Sequence, residues 1–176
     1  YLTGVGQAES RASASDQAYA AVAKIFHAQI EAQARDWESY LVTERQEASY
    51  AERKLQLENL TKVSTDKVLE SVSIADGWYD QRKGLHYALA IMNRQQTETS
   101  LMEKLSTLDR SIETDVADAR QTADAFAKVR ALRRSLKNSL AREAYNADLR
   151  VIRPSGQGVT AVYQVNELSG ELQQFL

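Results

Sequence analysis

The chain has 176 residues, of which 43% are hydrophobic and 26% are charged, a balance typical of a folded globular domain rather than a disordered chain. The net charge of −2 excludes a protein that is basic throughout, and the absence of cysteine excludes disulfides, thiol catalysis and thiolate metal sites. No apolar run approaches the roughly 20 residues that a membrane-spanning helix needs. Because the sequence begins with Tyr1 and ends within a helical pattern, we expect that a leader was removed and that the chain continues.

The first two predicted elements are a strand at residues 1–8 and a helix at residues 9–25. Gly4 and Gly6 share one face of the strand, where glycine often marks the close approach of another element. A Gly-x-Gly pair also occurs in phosphate-binding loops, but no third glycine follows here, so packing is the favoured role. The helix has a slim apolar face and is expected to lie on the glycine face.

The next two segments differ in their hydrophobic period. Apolar and polar residues alternate over 26–35, which predicts a second strand although alanine, glutamine and glutamate favour helices. Residues 38–64 are highly charged and lack glycine and proline, which predicts a helix that ends near residues 64–66.

Residues 70–94 are typical of a β-hairpin, with predicted strands at 70–79 and 85–92. The loop between them is polar and ends at Gly84, where a hairpin often requires a positive φ. One face of the return strand carries small side chains that suit packing against a helix: His86, Ala88, Ala90 and Met92. An aromatic cluster near the loop is a candidate binding surface for a glycan, a peptide or a partner, although core packing is the commoner role: Trp78, Tyr79 and Tyr87.

Residues 95–147 contain neither glycine nor proline, and their apolar positions recur at a helical spacing. A single long helix is slightly favoured because no turn residue is present. The alternative is a helical hairpin bent near residues 118–124, which the acidic first half and basic second half suit. The same charge asymmetry would suit an antiparallel dimer of straight helices equally well. The apolar positions form a candidate assembly stripe: Leu101, Leu105, Leu108, Ile112, Val129, Leu132, Leu136 and Leu140.

The basic segment at residues 128–142 could contact nucleic acid or anionic lipid. Pairing within the protein or with a second copy is favoured, because acidic residues are abundant nearby. Beyond it, two strand-like pieces at 147–152 and 159–165 flank the only proline, Pro154, and a helix is predicted from residue 166 to the end.

Candidate chemical groups are few. The two histidines, His27 and His86, could form a metal site with Glu70 or Asp76, but the spacing matches no ligand motif. Asp76 and Asp80 could be imagined as the carboxylate pair of a glycosidase, but acidic residues at a hairpin tip are usually solvated. We therefore predict no catalytic residue, metal or cofactor.

Three pieces of the sequence together resemble the Lpp-twenty family of small bacterial lipoproteins, which includes components of the flagellar outer-membrane ring. They are the opening Tyr-Leu-Thr-Gly-Val-Gly-Gln-Ala before an alanine-rich helix, the strand entry at 69–74, and Trp78-Tyr79 followed by Tyr87-Ala88-Leu89-Ala90 and Arg94. The resemblance covers roughly residues 1–95. It implies an α+β domain with a helix packed on a small sheet, export to the periplasm, and a lipid anchor on an N-terminal cysteine that this sequence lacks.

The predicted fold is α+β, with a small three- to four-stranded sheet covered by a helix and long amphipathic helices extending from it. The predicted organisation is a lipoprotein-like domain at 1–94 with a helical insertion at 38–64, a long helix or helical hairpin at 95–147, and the start of a C-terminal module at 148–176.

The predicted function is that of a non-catalytic structural or interaction protein of the cell envelope that acts in assembly. It would reside in the periplasm or at the outer membrane, and its partners would be other proteins or further copies in a coiled-coil oligomer. Nucleic acid is not expected, and membrane contact is expected only through a lipid anchor. The alternative is a periplasmic module that binds a ligand or glycan through the aromatic surface near Trp78.

Overall fold

The computed structural model describes residues 1–41, 59 and 61–175, and it confirms the α+β fold with long helices. In chain order the elements are β1 (Leu2–Ala8), α1 (Arg11–Leu41), α2 (residues 61–69), β2 (Ser73–Asp80), β3 (Leu85–Met92), α3 (Arg94–Gln121), α4 (Ala125–Ile152) and α5 (Val165–Gln173).

The three strands of the described residues form one antiparallel sheet in the order β1-β3-β2. The predicted hairpin is confirmed, with Trp78 opposite Tyr87 across the β2–β3 ladder. The connecting turn ends at Gly84, whose φ of 66° lies in the left-handed region that glycine adopts without strain. The Asp80 carboxylate accepts a hydrogen bond from the backbone N–H of Arg82 and thereby supports the turn.

The predicted contact between the glycine face of β1 and the first helix is confirmed. A Cβ atom at Gly4 would lie 2.5 Å from the carbonyl oxygen of Ala18, and one at Gly6 would lie 1.9 Å from that of Ala14. Only glycine permits such an approach between the strand and α1. The helix begins after Ser10, whose hydroxyl accepts a hydrogen bond from the backbone N–H three residues later, an N-cap.

The strand predicted at residues 26–35 is wrong, because α1 continues without a break through this segment to Leu41. From Ala14 to Ile30, every fourth side chain of α1 is buried against the sheet domain: Ala14, Ala18, Val22, Phe26 and Ile30. Phe26 and Ile30 therefore extend a helical stripe that begins in the preceding residues. The helix propensity of the intervening alanine and glutamine residues agrees with this stripe and outweighs the local alternation.

Much of the helix predicted at 38–64 lies at residues 42–58 and 60, outside the described residues. The described parts of that range are helical, but the predicted end near residues 64–66 is wrong, since α2 continues to residue 69. Ser64 and Thr65 are buried, and Val68 belongs to the core. Two of the three polar residues that suggested a helix end, Ser64 and Thr65, thus lie on the packed side of α2, whereas Asp66 is exposed.

The favoured single helix over residues 95–147 is wrong, and the alternative hairpin is correct. α3 ends at Gln121, and α4 starts at Ala125 and returns along it. The turn needs neither glycine nor proline, because the Thr122 hydroxyl accepts from the N–H of Asp124 and the Asp124 carboxylate accepts from the N–H of Phe126. Side-chain capping therefore replaces the turn residues whose absence favoured a straight helix.

Neither strand-like piece near Pro154 is a strand. Residues 147–152 form the last turns of α4, whose final carbonyls at Val151 and Ile152 accept hydrogen bonds from Arg94. No strand forms over 159–165: the backbone of Val159 and Thr160 is hydrogen-bonded to the Asn146 and Arg142 side chains of α4, and α5 begins at Val165. The predicted terminal helix is confirmed as α5, which spans Val165–Gln173.

The main hydrophobic core lies between α1 and the inner sheet face and extends to α2, the start of α3 and the end of α4. Two smaller apolar clusters lie nearer the α3–α4 turn, where α5 packs against the hairpin. The hairpin thus joins the sheet at one end and projects its turn away from it. None of the described helices has a stretch that is both long and apolar enough to cross a bilayer.

Candidate functional site

The face of the sheet that points away from α1, here called the outer sheet face, carries exposed apolar side chains. Val5 of β1 is 58% exposed and Trp78 of β2 is 49% exposed. Between them run four partly buried side chains of the central strand: Leu85, Tyr87, Leu89 and Ile91. The row along β3 is continuous and uncharged.

The alternation of β3 explains why both of its faces are apolar. The inward set, Ala88, Ala90 and Met92, is fully buried beneath α1. An antiparallel sheet with one solvated face normally places polar residues on that face. Here the outward positions of β3 carry large apolar side chains instead, which distinguishes this strand from an ordinary solvent-facing one.

Trp78 and Tyr87 form a stacked aromatic pair on the outer sheet face. Their ring centroids are 5.1 Å apart and their planes differ by 3°. The stacking follows from the strand register, because the two residues lie directly opposite each other in the β2–β3 ladder. The pair forms a flat aromatic platform.

The third aromatic residue of the predicted cluster, Tyr79, points to the other side of the sheet. It lies against His86, with ring centroids 4.6 Å apart and an interplanar angle of 39°. The sequence analysis grouped all three aromatic residues, but the two-residue period of β2 separates Tyr79 from the Trp78–Tyr87 platform.

The predicted assembly stripe lies inside the helical hairpin. Five of its members are buried, namely Leu101, Leu105, Ile112, Leu132 and Leu140, and the other three are partly buried: Leu108, Val129 and Leu136. Hydrogen-bonded ion pairs join the two helices, with Arg134 on Asp115 at 2.9 Å and Arg142 on Asp109 at 2.5 Å. The acidic and basic halves of the sequence thus pair within one chain.

Arg142 is the largest fully buried side chain among the described residues, and the sequence analysis gave it no individual role. Besides its ion pair with Asp109, its guanidinium donates to the backbone carbonyls of Val159 and Thr160. The N–H of Val159 in turn donates to the Asn146 side chain at 2.7 Å. These bonds hold the segment before α5 against α4.

Asp148 is a buried carboxyl group that sequence reasoning missed. Its Oδ1 accepts a hydrogen bond from the Thr65 hydroxyl at 2.9 Å, while its Oδ2 has no hydrogen-bond partner among the described residues. Burial raises the pKa of Asp148 to about 7, and the hydroxyls of Ser64 and Thr65 only partly offset this effect. The sequence signal that could have identified Asp148 is the presence of an acidic residue on the apolar side of α4.

Burial also raises the pKa of Glu143, and the nearby cations Arg142 and Arg150 oppose that rise. Glu143 accepts a hydrogen bond from the Arg142 guanidinium at 3.3 Å. Both perturbed carboxyl groups lie in packed parts of the helical region, so neither lies on the outer sheet face.

The residues considered for metal binding do not converge. His27 is exposed on α1, whereas His86 contacts Tyr79 on β3. In residues 1–41, 59 and 61–175, no group of three or more histidine, aspartate or glutamate side chains is placed to hold a metal ion.

Comparisons of the chain with protein-family models, with curated proteins and with solved structures find no match. The resemblance to the Lpp-twenty family therefore remains a prediction from the residues that carry it.

Proposed function

We propose that this chain is a non-catalytic assembly domain of the cell envelope whose contact surface is the outer sheet face. The observation that carries the proposal is the apolar outward row of β3, where a solvated antiparallel sheet would carry polar residues. The resemblance to the Lpp-twenty family supports the assignment to the periplasm or outer membrane.

The helical stripe does not serve this role, because its apolar side chains are already covered within the chain. The outer sheet face has the composition of an interface core: aromatic and aliphatic side chains at the centre, with the carboxylates Asp76 and Asp80 on β2 toward one edge. The charges of the face therefore lie where solvent can reach them after association.

The occupant we propose is a second copy of the same chain. Two copies related by a two-fold axis would place two uncharged rows against each other, and such an isologous contact needs no second complementary surface. Two sheets pack in this way at a separation of about 10 Å, which is close enough for Val5 and Leu89 to contribute to the core of the interface.

The test is the solution mass of the chain as a function of concentration, measured by light scattering on the protein and on Val5→Glu. We expect the unmodified chain to dimerise and the variant to remain monomeric, because association would bury the new carboxylate. Val5 is 58% exposed, so the substitution leaves the core of the monomer intact.

Val63→Glu is the matched control. Val63 is 56% exposed on α2 and belongs to no strand of the sheet, so the same change of charge and volume should leave the dimer unaffected. The proposal fails if the unmodified chain is monomeric at every concentration, or if both variants weaken association equally.

The stacked rings favour a second candidate function, the binding of a glycan on the Trp78–Tyr87 platform. With the other tryptophan removed by Trp37→Phe, the fluorescence of Trp78 should shift when soluble cell-wall glycan is added. Tyr87→Ala should weaken the glycan affinity obtained from this shift about tenfold, on the scale of the roughly 1–3 kcal/mol that a base gains by stacking on an aromatic ring. Tyr79→Ala, on the opposite face, should leave the shift unchanged, and an equal loss in both variants would contradict the platform.

A further inference from the structure

A second exposed feature lies on α4, at the end of the hairpin that is farthest from the sheet. Phe126 is 82% exposed, the highest value of any large hydrophobic side chain described here. It lies in the first turn of α4, directly after the Asp124 cap, so its backbone is fixed while its ring projects from the protein.

Three cations follow Phe126 at positions that place them on the same side of the helix. Arg130, Arg133 and Lys137 are four, seven and eleven residues further along, which keeps all four side chains within one face of α4. The row, here called the basic row, extends about 16 Å along the helix. It faces away from the buried side of α4, where Ser135 is fully covered.

The basic row is not neutralised within the described part of the chain. Its three cationic side chains are exposed, and no described residue makes an ion pair or hydrogen bond with them. Arg134 lies at the margin of the row and is already paired with Asp115. Residues 125–142 contain no acidic residue at all, although the whole chain carries a net charge of −2.

We infer that the basic row is a docking site for an anionic lipid surface. Helices that lie on membranes combine lysine and arginine with aromatic or aliphatic residues that enter the headgroup region, and here the ring and the cations share one face. The cations would lie near lipid phosphates while Phe126 enters the interface. This contact is additional to a lipid anchor, and it uses no residue of the outer sheet face.

A lipid surface is favoured over nucleic acid because of Phe126. Cations alone fit any polyanion, but an exposed ring in the first turn of α4 gains most where an apolar phase lies beneath the phosphates. The position also suits a surface, since the hairpin turn projects away from the sheet and from the main core.

The experiment measures binding of the full chain to vesicles of phosphatidylcholine and to vesicles of phosphatidylcholine mixed with phosphatidylglycerol. We expect binding only to the anionic vesicles, weakened by added salt. The triple variant Arg130→Gln, Arg133→Gln, Lys137→Gln should bind about 100-fold more weakly, at about fivefold for each basic residue near an anionic surface. Phe126→Ala should weaken binding about tenfold.

The matched control is the triple variant Lys24→Gln, Lys67→Gln, Lys104→Gln, which removes the same charge from exposed positions on α1, α2 and α3. It should retain vesicle binding. A second readout is Phe126→Trp with Trp37 and Trp78 replaced by phenylalanine, whose emission should shift to the blue on anionic vesicles. Val5→Glu should also bind normally, which separates this inference from the proposed dimer.

Three results would overturn the inference. The first is no binding to anionic vesicles. The second is an equal loss in the two triple variants, which would mean that only net charge matters. The third is binding of an oligonucleotide through the same residues without binding to vesicles, which would assign the basic row to nucleic acid.

Discussion

Asp148 illustrates how one residue sets a pH dependence for the whole fold. Its carboxyl group is fully buried at the contact between α4 and α2, and the Thr65 hydroxyl supplies one hydrogen bond. The folded state favours the protonated form, since burial raises the pKa from 3.8 to about 7. No charged side chain contributes to this shift among the described residues.

Between about pH 4 and pH 7 the unfolded chain releases this proton while the folded chain retains it, so stability falls as pH rises through that window and levels off above it. The free energy of unfolding changes by on the order of 4 kcal/mol at most across this window. Asp148→Asn should therefore unfold at higher urea concentration above pH 7 and lose this slope. Urea unfolding across the window measures both effects.

The control for this prediction is Asp118→Asn, which removes an exposed carboxylate on α3. It should keep the slope of the unmodified chain. If Asp148→Asn instead has the same pH profile as the unmodified chain, burial does not raise the pKa of Asp148 in the folded state.

At the scale of elements, the hairpin of β2 and β3 and the close contact of β1 with α1 were predictable. Alternation placed Ala88 and Ala90 on the helix side, and Gly4 and Gly6 marked the approach of α1. These signals are local, because a two-residue period and a missing side chain each have one simple structural cause.

The errors also have local causes. Alternation over 26–35 is ambiguous, since Phe26 and Ile30 satisfy both a two-residue period and a four-residue helical spacing. The decisive information lies upstream, where Val22 and Ala18 continue the same helical stripe. A pattern read across both segments would have given one helix.

The α3–α4 turn could not be read from glycine or proline, because Thr122 and Asp124 make it with side-chain hydrogen bonds. The apolar stripe continues in phase through the turn, so it fits a straight helix and a hairpin equally well. The charge asymmetry between the two halves is compatible with the hairpin, in which Arg134 of α4 pairs with Asp115 of α3.

For the candidate site, the sequence identified Trp78, Tyr79 and Tyr87 but not their separation between two faces. It also placed assembly on the helical stripe, which the hairpin covers. The small side chains of Ala88 and Ala90 predicted which face of β3 packs against a helix, but the sequence did not single out the opposite, outer sheet face as a surface for association.

At the scale of the molecule, the sheet and the hairpin turn form two exposed ends with different chemistry. The outer sheet face is apolar and uncharged along β3, whereas the basic row is cationic with a single exposed ring at Phe126. We expect the first to bind a second copy and the second to rest on an anionic surface, so an assembly on a membrane could use both without competition.

The separate roles of the outer sheet face and the basic row depend on the return of α4 along α3 within one chain. A straight helix would expose the candidate assembly stripe and make it the natural contact between copies. The most direct test is the double variant Ser111→Cys, Asn138→Cys. The Asn138 amide donates to the Ser111 hydroxyl at 3.0 Å across the hairpin, and the chain has no other cysteine.

After mild oxidation at low protein concentration, mass spectrometry and non-reducing electrophoresis should find a disulfide within one chain and a monomeric covalent mass. Ser100→Cys with Asn138→Cys is the control and should form no internal disulfide, because residue 100 lies about 16 Å farther along α3. A disulfide-linked dimer of the Ser111 and Asn138 variant would contradict the hairpin and return the assembly surface to the stripe.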